Sequence, residues 1–177
     1  MLKKEARVIT GGLSAPSKMP GPAYNLPASM CLTGQKLVNV PGSVCAGCYA
    51  LKGRYRFNNV QQALERRATS LKHPDWVDAM VSLIMGHKYF RWHDSGDIQS
   101  VEHLKKIFEV CKRTPSTKHW MPTREARFLK LLDPDIIPPN LIIRMSSHMI
   151  DQGPVTFWPW TSTVSSSTKT CPALDQG

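Results

Sequence analysis

No stretch of this sequence approaches the roughly 20 consecutive apolar residues that a membrane-spanning helix needs. The opening "MLKKEARVITGG" has two lysines but no apolar run behind them, so no signal peptide is expected and the cytoplasm is the expected compartment. There is no internal repeat and no long low-complexity tract. Acidic residues are scarce: 13 Asp and Glu stand against 23 Lys and Arg, for a formal charge of +10. Such an excess attracts polyanions, so nucleic acid or an anionic small molecule is an expected partner, with simple solubility the alternative. Cysteine is sparse and odd in number, five in 177 residues. In a reducing compartment this argues against a disulfide framework and for metal binding or core packing.

Two of the cysteines are in "GSVCAGCYALKGRYRF". Cys45 and Cys48 have the two-residue gap that lets both sulfurs face one metal, and Cys31 lies upstream in the same segment, giving C-x13-C-x2-C. Cys171, in "KTCPALDQG", is a further candidate ligand or a bystander. Cys111 falls on the apolar face of an expected helix and reads as a small core residue. Four thiolates would close a structural zinc site or a saturated cluster, whereas three on a cubane would leave one iron open. Spacing alone favours zinc, because closed zinc sites on such turns are common.

The chain reads as a single domain, 1–177, in three parts. Residues 1–57 are loop-rich and Pro/Gly-rich, and Pro16, Pro20, Pro22, Pro27 and Pro41 exclude a continuous helix over 10–48. A loop that long needs something other than a core to hold it, and bound metal would do so. Residues 58–86 predict two helices. Val60, Ala63, Leu64, Ala68 and Leu71 recur at helical spacing behind a cap at Asn58 or Asn59. The second helix begins with Pro74 in its first turn, carries Trp76, Met80 and Ile84 inward, and ends near Gly86. Residues 87–177 alternate strand and helix: "KYFRWH", then "SVEHLKKIFEVCKR" capped by Ser100, "KHWMPT", "REARFLKLLD", "NLIIRMSS" and "WTSTVSS". Units of this length predict an α/β fold with parallel strands and crossover helices, wound as a sheet or a partial (β/α) barrel. Trp158 and Trp160 in "TFWPWTST" are expected to pack in the core, with base stacking the alternative.

Ligands of parallel α/β folds bind at the carboxyl ends of the strands. Those ends hold His93, Asp94, Ser95, Gly96 and Asp97, then Arg124 and Glu125, then Ser146 and Ser147. Asp94, Ser95 and Asp97 could merely shape a turn. His93 is not explained that way, because a turn needs no imidazole. Gly96 permits φ > 0 or close backbone approach to a ligand. Arg124 suits a carboxylate or phosphate, unless Glu125 pairs with it.

The stretches "SKMPGPAYNLPASMC", "GSVCAGCYALKGRY", "RWHDSGDIQS", "MPTREARFLK", "RMSSHM" and "TCPA" resemble the gene product 88-like phage proteins. More distantly, "CAGCYA" followed by "HDSGD" and "TR" is similar to a phage family related to radical-SAM enzymes. That second resemblance implies a partial barrel, a [4Fe-4S] cluster on Cys31, Cys45 and Cys48, and S-adenosylmethionine on the open iron. His93, Asp94 and Asp97 would then be catalytic. Tyr49, Ser95, Gly96, Arg124, Ser146 and Ser147 would contact cofactor or substrate, and the compartment would be the host cytoplasm. The spacing departs from the usual radical-SAM C-x3-C-x2-C. The alternatives are a zinc- or cluster-stapled basic module that binds nucleic acid without chemistry, and a phage protein that inhibits a host partner.

Overall fold

The computed structural model describes residues 1–17 and 19–167. Cys171 lies outside the described residues. Among the described residues, α-helices and strands follow one another in the order α1 (Lys3–Thr10), β1 (Ala23–Tyr24), α2 (Leu32–Leu37), α3 (Asn58–Ser70), α4 (Trp76–Ile84), β2 (Tyr89–Trp92), α5 (Val101–Arg113), β3 (Lys118–Thr123), α6 (Ala126–Leu129), β4 (Leu141–Ile150) and β5 (Thr161–Val164). The five strands form one all-parallel sheet in the order β1-β2-β3-β4-β5. The sheet is open, with β1 and β5 at its edges. Among the described residues no helix is long and apolar enough to cross a membrane.

The sheet keeps every strand's carboxyl end on the same side, so the polar strand ends share one rim. Below the rim, the aromatic centre of the core forms where β1, β2 and α4 meet. Tyr24 packs edge-on against Trp76 with ring centroids 5.6 Å apart, and Phe90 against Trp92 at 4.9 Å. Tyr24 also ties distant segments: its hydroxyl accepts from Trp76 Nε1 at 3.2 Å and lies 2.8 Å from the Thr10 carbonyl. Cys111 is fully buried in this core, as its helical register predicts.

The expected strands at the ends of β2 to β5 and the helices α3 to α5 are present, and Ser100 caps α5 by accepting from the His103 N–H at 3.1 Å. Several boundaries differ. The Pro/Gly-rich segment is not all loop, since it holds β1 and α2 between its prolines. Asn58 is the first residue of α3 and Phe57 precedes it as the cap position; Pro74 lies ahead of α4, whose cap is Asp75. The helix expected over "REARFLKLLD" shrinks to Ala126–Leu129, because Glu125 is drawn away to another partner and Leu131 faces solvent. Of the two tryptophans, Trp158 is buried and donates from Nε1 to the Ile143 carbonyl at 2.8 Å, whereas Trp160 is exposed.

Candidate functional site

A cavity of about 260 Å³ opens at the carboxyl ends of the strands. Its floor comes from the ends of β2 and β3, and its roof from the segment that leaves β1 and carries α2. Cys31, Cys45 and Cys48 all line it. Cys31 occupies the cap position of α2, and Cys45 is buried. A Cβ on Gly34 would lie 3.8 Å from each of the Cys31 and Cys45 sulfurs, so these two are within twice that distance of one another. The same Cβ would stand 2.8 Å from the Cys31 Cβ, and only glycine leaves that room.

Burial pushes the Cys31 thiol up to about 12, helped by Asp97 and then by Cys48 and Cys45. Burial also raises Cys45, with Arg124 opposing. The surroundings therefore favour neutral thiols, and a cation among the sulfurs would reverse that preference. Among the described residues, no group of three or more His, Cys, Asp or Glu side chains is placed to hold a single metal ion. What the cavity offers is three sulfurs facing a common space, with a glycine cradle beside two of them.

The turn after β2 supplies the next layer. His93 has φ 58°, a left-handed value uncommon outside glycine. Its backbone N–H donates to the Tyr24 carbonyl at 2.9 Å, which aligns β1 with β2 and turns the imidazole inward. The ring is buried, and neither nitrogen has a hydrogen-bond partner among the described residues. Burial, then His103 and Arg91, hold it neutral well below its usual range. Unpartnered buried nitrogens are costly, so a bound ligand is their natural complement.

Asp97 is a buckle. One oxygen accepts from the Thr123 hydroxyl at 2.6 Å and the Ile98 N–H at 2.8 Å, the other from the Arg124 N–H at 2.9 Å. These bonds join the end of β2 to the end of β3, while burial raises the carboxyl to about 6. Ser95 donates to the Leu26 carbonyl at 2.9 Å. Gly96 has φ 75°, and its close approach is to Leu26, whose Cβ a side chain would meet at 2.5 Å. Asp94 takes Tyr55 at 2.8 Å and Arg91 at 3.0 Å, and the Tyr49 hydroxyl donates to its carbonyl.

Arg124 lines the cavity with a buried Nε that has no partner among the described residues. It does not pair with Glu125. The fully buried Glu125 carboxylate instead accepts from the Thr33 N–H at 2.7 Å and hydroxyl at 2.9 Å. Ser146 reaches the cavity and bonds Ser162 at 3.0 Å. Ser147 is not brought there; it donates to the Gly153 carbonyl at 3.0 Å.

The roof is pinned at its far end as well. Val44 donates to the His148 carbonyl at 2.9 Å, and the His148 Nε2 lies 3.1 Å from the Arg124 carbonyl. Thr33, Gly34, Tyr55 and His148 were not legible as site residues. Their partners are far away in sequence, and only Tyr55, an aromatic inside the basic segment, carried any signal.

Fold and site together define an open parallel α/β protein with a three-thiol cavity at the carboxyl rim of its sheet. The chain belongs to the Gene product 88 family, whose family model matches residues 2–168. No curated protein and no solved structure matches it.

Proposed function

We propose that this is an iron–sulfur phage protein, a radical-SAM-like enzyme acting on an anionic substrate. Cys31, Cys45 and Cys48 would hold a [4Fe-4S] cluster, with S-adenosylmethionine beside it. In this reading the open sheet, with strands in chain order, is a partial barrel. One observation carries the reading: three thiols from the segment after β1 share a single cavity with the polar ends of β2 and β3 and with Ser146, which lies within β4 and not at its end. Catalytic sites of parallel barrels occupy that face.

When bound, the cluster would supply single electrons to the sulfonium of S-adenosylmethionine. The chain's own groups bind and orient. The neutral His93 imidazole offers a buried donor and acceptor. The unpartnered Arg124 Nε suits a carboxylate or phosphate. Asp97 holds Arg124 in place through its backbone. Tyr49, directly after Cys48, is anchored on Asp94 and shields the cavity's side.

Anaerobic reconstitution with iron and sulfide tests this. The protein should turn brown, hold iron and acid-labile sulfide in similar amounts, and cleave S-adenosylmethionine under reduction. Cys31→Ser, Cys45→Ser and Cys48→Ser should each lose iron, and Cys111→Ser should keep it. A colourless protein with stoichiometric zinc overturns the proposal. One observation favours a stapled binding module instead: Asp97, Ser95 and Glu125 all use their oxygens on the chain itself. Retention of cluster with no reductive cleavage would select that reading.

A further inference from the structure

A second, larger cavity of about 870 Å³ adjoins the first and shares Tyr49, Arg91 and Asp94 with it. The basic segment that follows Cys48 forms its outer wall. Arg54, Arg67 and Arg91 line it, and the one carboxylate in the lining is Asp94. Asp94 is already taken up by Arg91 and Tyr55. Arg54, on the 3-10 turn Gly53–Arg56, is exposed and forms no ion pair among the described residues. The groove therefore keeps an uncompensated positive charge.

It also presents aromatic faces at fixed positions. Tyr49 is 57% exposed, yet its hydroxyl is fastened to the Asp94 carbonyl. Tyr55 stands edge-on to it at 5.8 Å, and its own hydroxyl is fastened to the Asp94 carboxylate. An exposed ring held at its far end loses little freedom when a flat partner stacks on it. Asn59, in the first turn of α3, adds an amide that can both donate and accept. Cation, clamped aromatic and amide within one groove are what a base and its phosphate require. An acidic peptide or a lipid headgroup would use the cation and leave the rings without a partner.

We infer that this groove binds single-stranded nucleic acid, with a base on Tyr49 and a phosphate on Arg54, and leads the strand to the cysteine cavity. The assignment of that strand as substrate rests on the function proposed above; the binding itself does not.

The test is fluorescence anisotropy of a labelled oligodeoxythymidylate on the whole chain, with and without iron, across about 50 to 200 mM salt. Affinity should fall log-linearly with salt. Arg54→Ala should weaken binding and reduce the salt slope by about 0.7, the share of one phosphate contact on a single strand. Tyr49→Ala should weaken binding about tenfold or more at every salt concentration. Lys105→Ala and Lys112→Ala, on α5 and lining neither cavity, should leave the slope nearer to that of the unmodified chain than Arg54→Ala does. Equal losses at all three basic positions would mean diffuse surface charge and overturn the groove. So would displacement by polyglutamate or by thymidine monophosphate at the potency of the oligonucleotide. Binding without a cluster would leave the groove standing and remove the enzyme; a cluster without binding would do the reverse.

Discussion

Glu125 and Thr33 stand 92 residues apart, and one carboxylate holds both the backbone N–H and the hydroxyl of the threonine, at 2.7 and 2.9 Å. Thr33 sits two residues beyond Cys31, in the first turn of α2. The contact clasps the cysteine-bearing roof to the end of β3. A buried carboxylate stays there only because donors meet it.

Glu125→Gln should cost about 1–3 kcal/mol, since it weakens charge-assisted bonds and leaves a buried amide imperfectly paired. Thr33→Val, which keeps the N–H, should cost less. Urea unfolding gives the stability. Faster alkylation of Cys31 by iodoacetamide should accompany the loss, and an unchanged rate would show that the clasp does not position the thiol.

Gly34→Ala fills the cradle. Its methyl would sit 2.8 Å from the Cys31 Cβ and 3.8 Å from two sulfurs. Iron content after reconstitution should drop well below that of the unmodified chain, with the far-ultraviolet circular dichroism retained. Full iron loading would show that the sulfurs need no space on that side.

Gly96→Ala should be among the most damaging single changes. The position has φ 75°, and the new Cβ would meet the Leu26 backbone at 2.9 Å. Left-handed strain and a clash with backbone add, for at least about 2 kcal/mol. A thermal midpoint within a degree of the unmodified chain would refute the close approach.

Acid should weaken the fold through opposed titrations. Burial holds His103 and His119 near 4, against an ordinary value of 6.5, and holds His93 well below that ordinary value. Between 4 and 6.5 the unfolded chain binds two protons, on His103 and His119, that the folded chain does not, and His93 acts in the same direction. Asp97 runs the other way: raised to about 6, it keeps a proton in the fold that unfolding releases. Two less one leaves about one proton taken up on unfolding near pH 5, with His93 adding to it, so stability falls by at least about 1 kcal/mol per pH unit of acidification. Urea midpoints at pH 6 and pH 5 measure this. His119→Gln should lessen the slope by about one proton.

Much of the fold was readable because its later elements are periodic. Val101, Leu104, Ile107, Phe108 and Cys111 mark α5 on sequence alone, and apolar runs before polar residues mark β2, β3 and β4. β1 was not readable. It is two residues long, and its identity comes from pairing with Arg91 and Trp92 on β2. The site divides in the same way. Close spacing made Cys45 and Cys48 visible as a pair, and strand ends made His93 and Arg124 visible. The clasp on Thr33 and the left-handed backbone of His93 depend on tertiary contacts that leave no local pattern. Ser147, beside Ser146, shows the limit of reading strand ends: adjacent residues of a strand face opposite ways.

The Arg124 carbonyl is bonded to the His148 ring, and the His148 backbone carbonyl accepts from the Val44 N–H, one residue from Cys45. Only three links separate the arginine that would grip a ligand from a thiol on the opposite wall. The rim and the cysteine-bearing roof are thereby fastened to the same residue of β4, so neither can be displaced without loading a bond that holds the other.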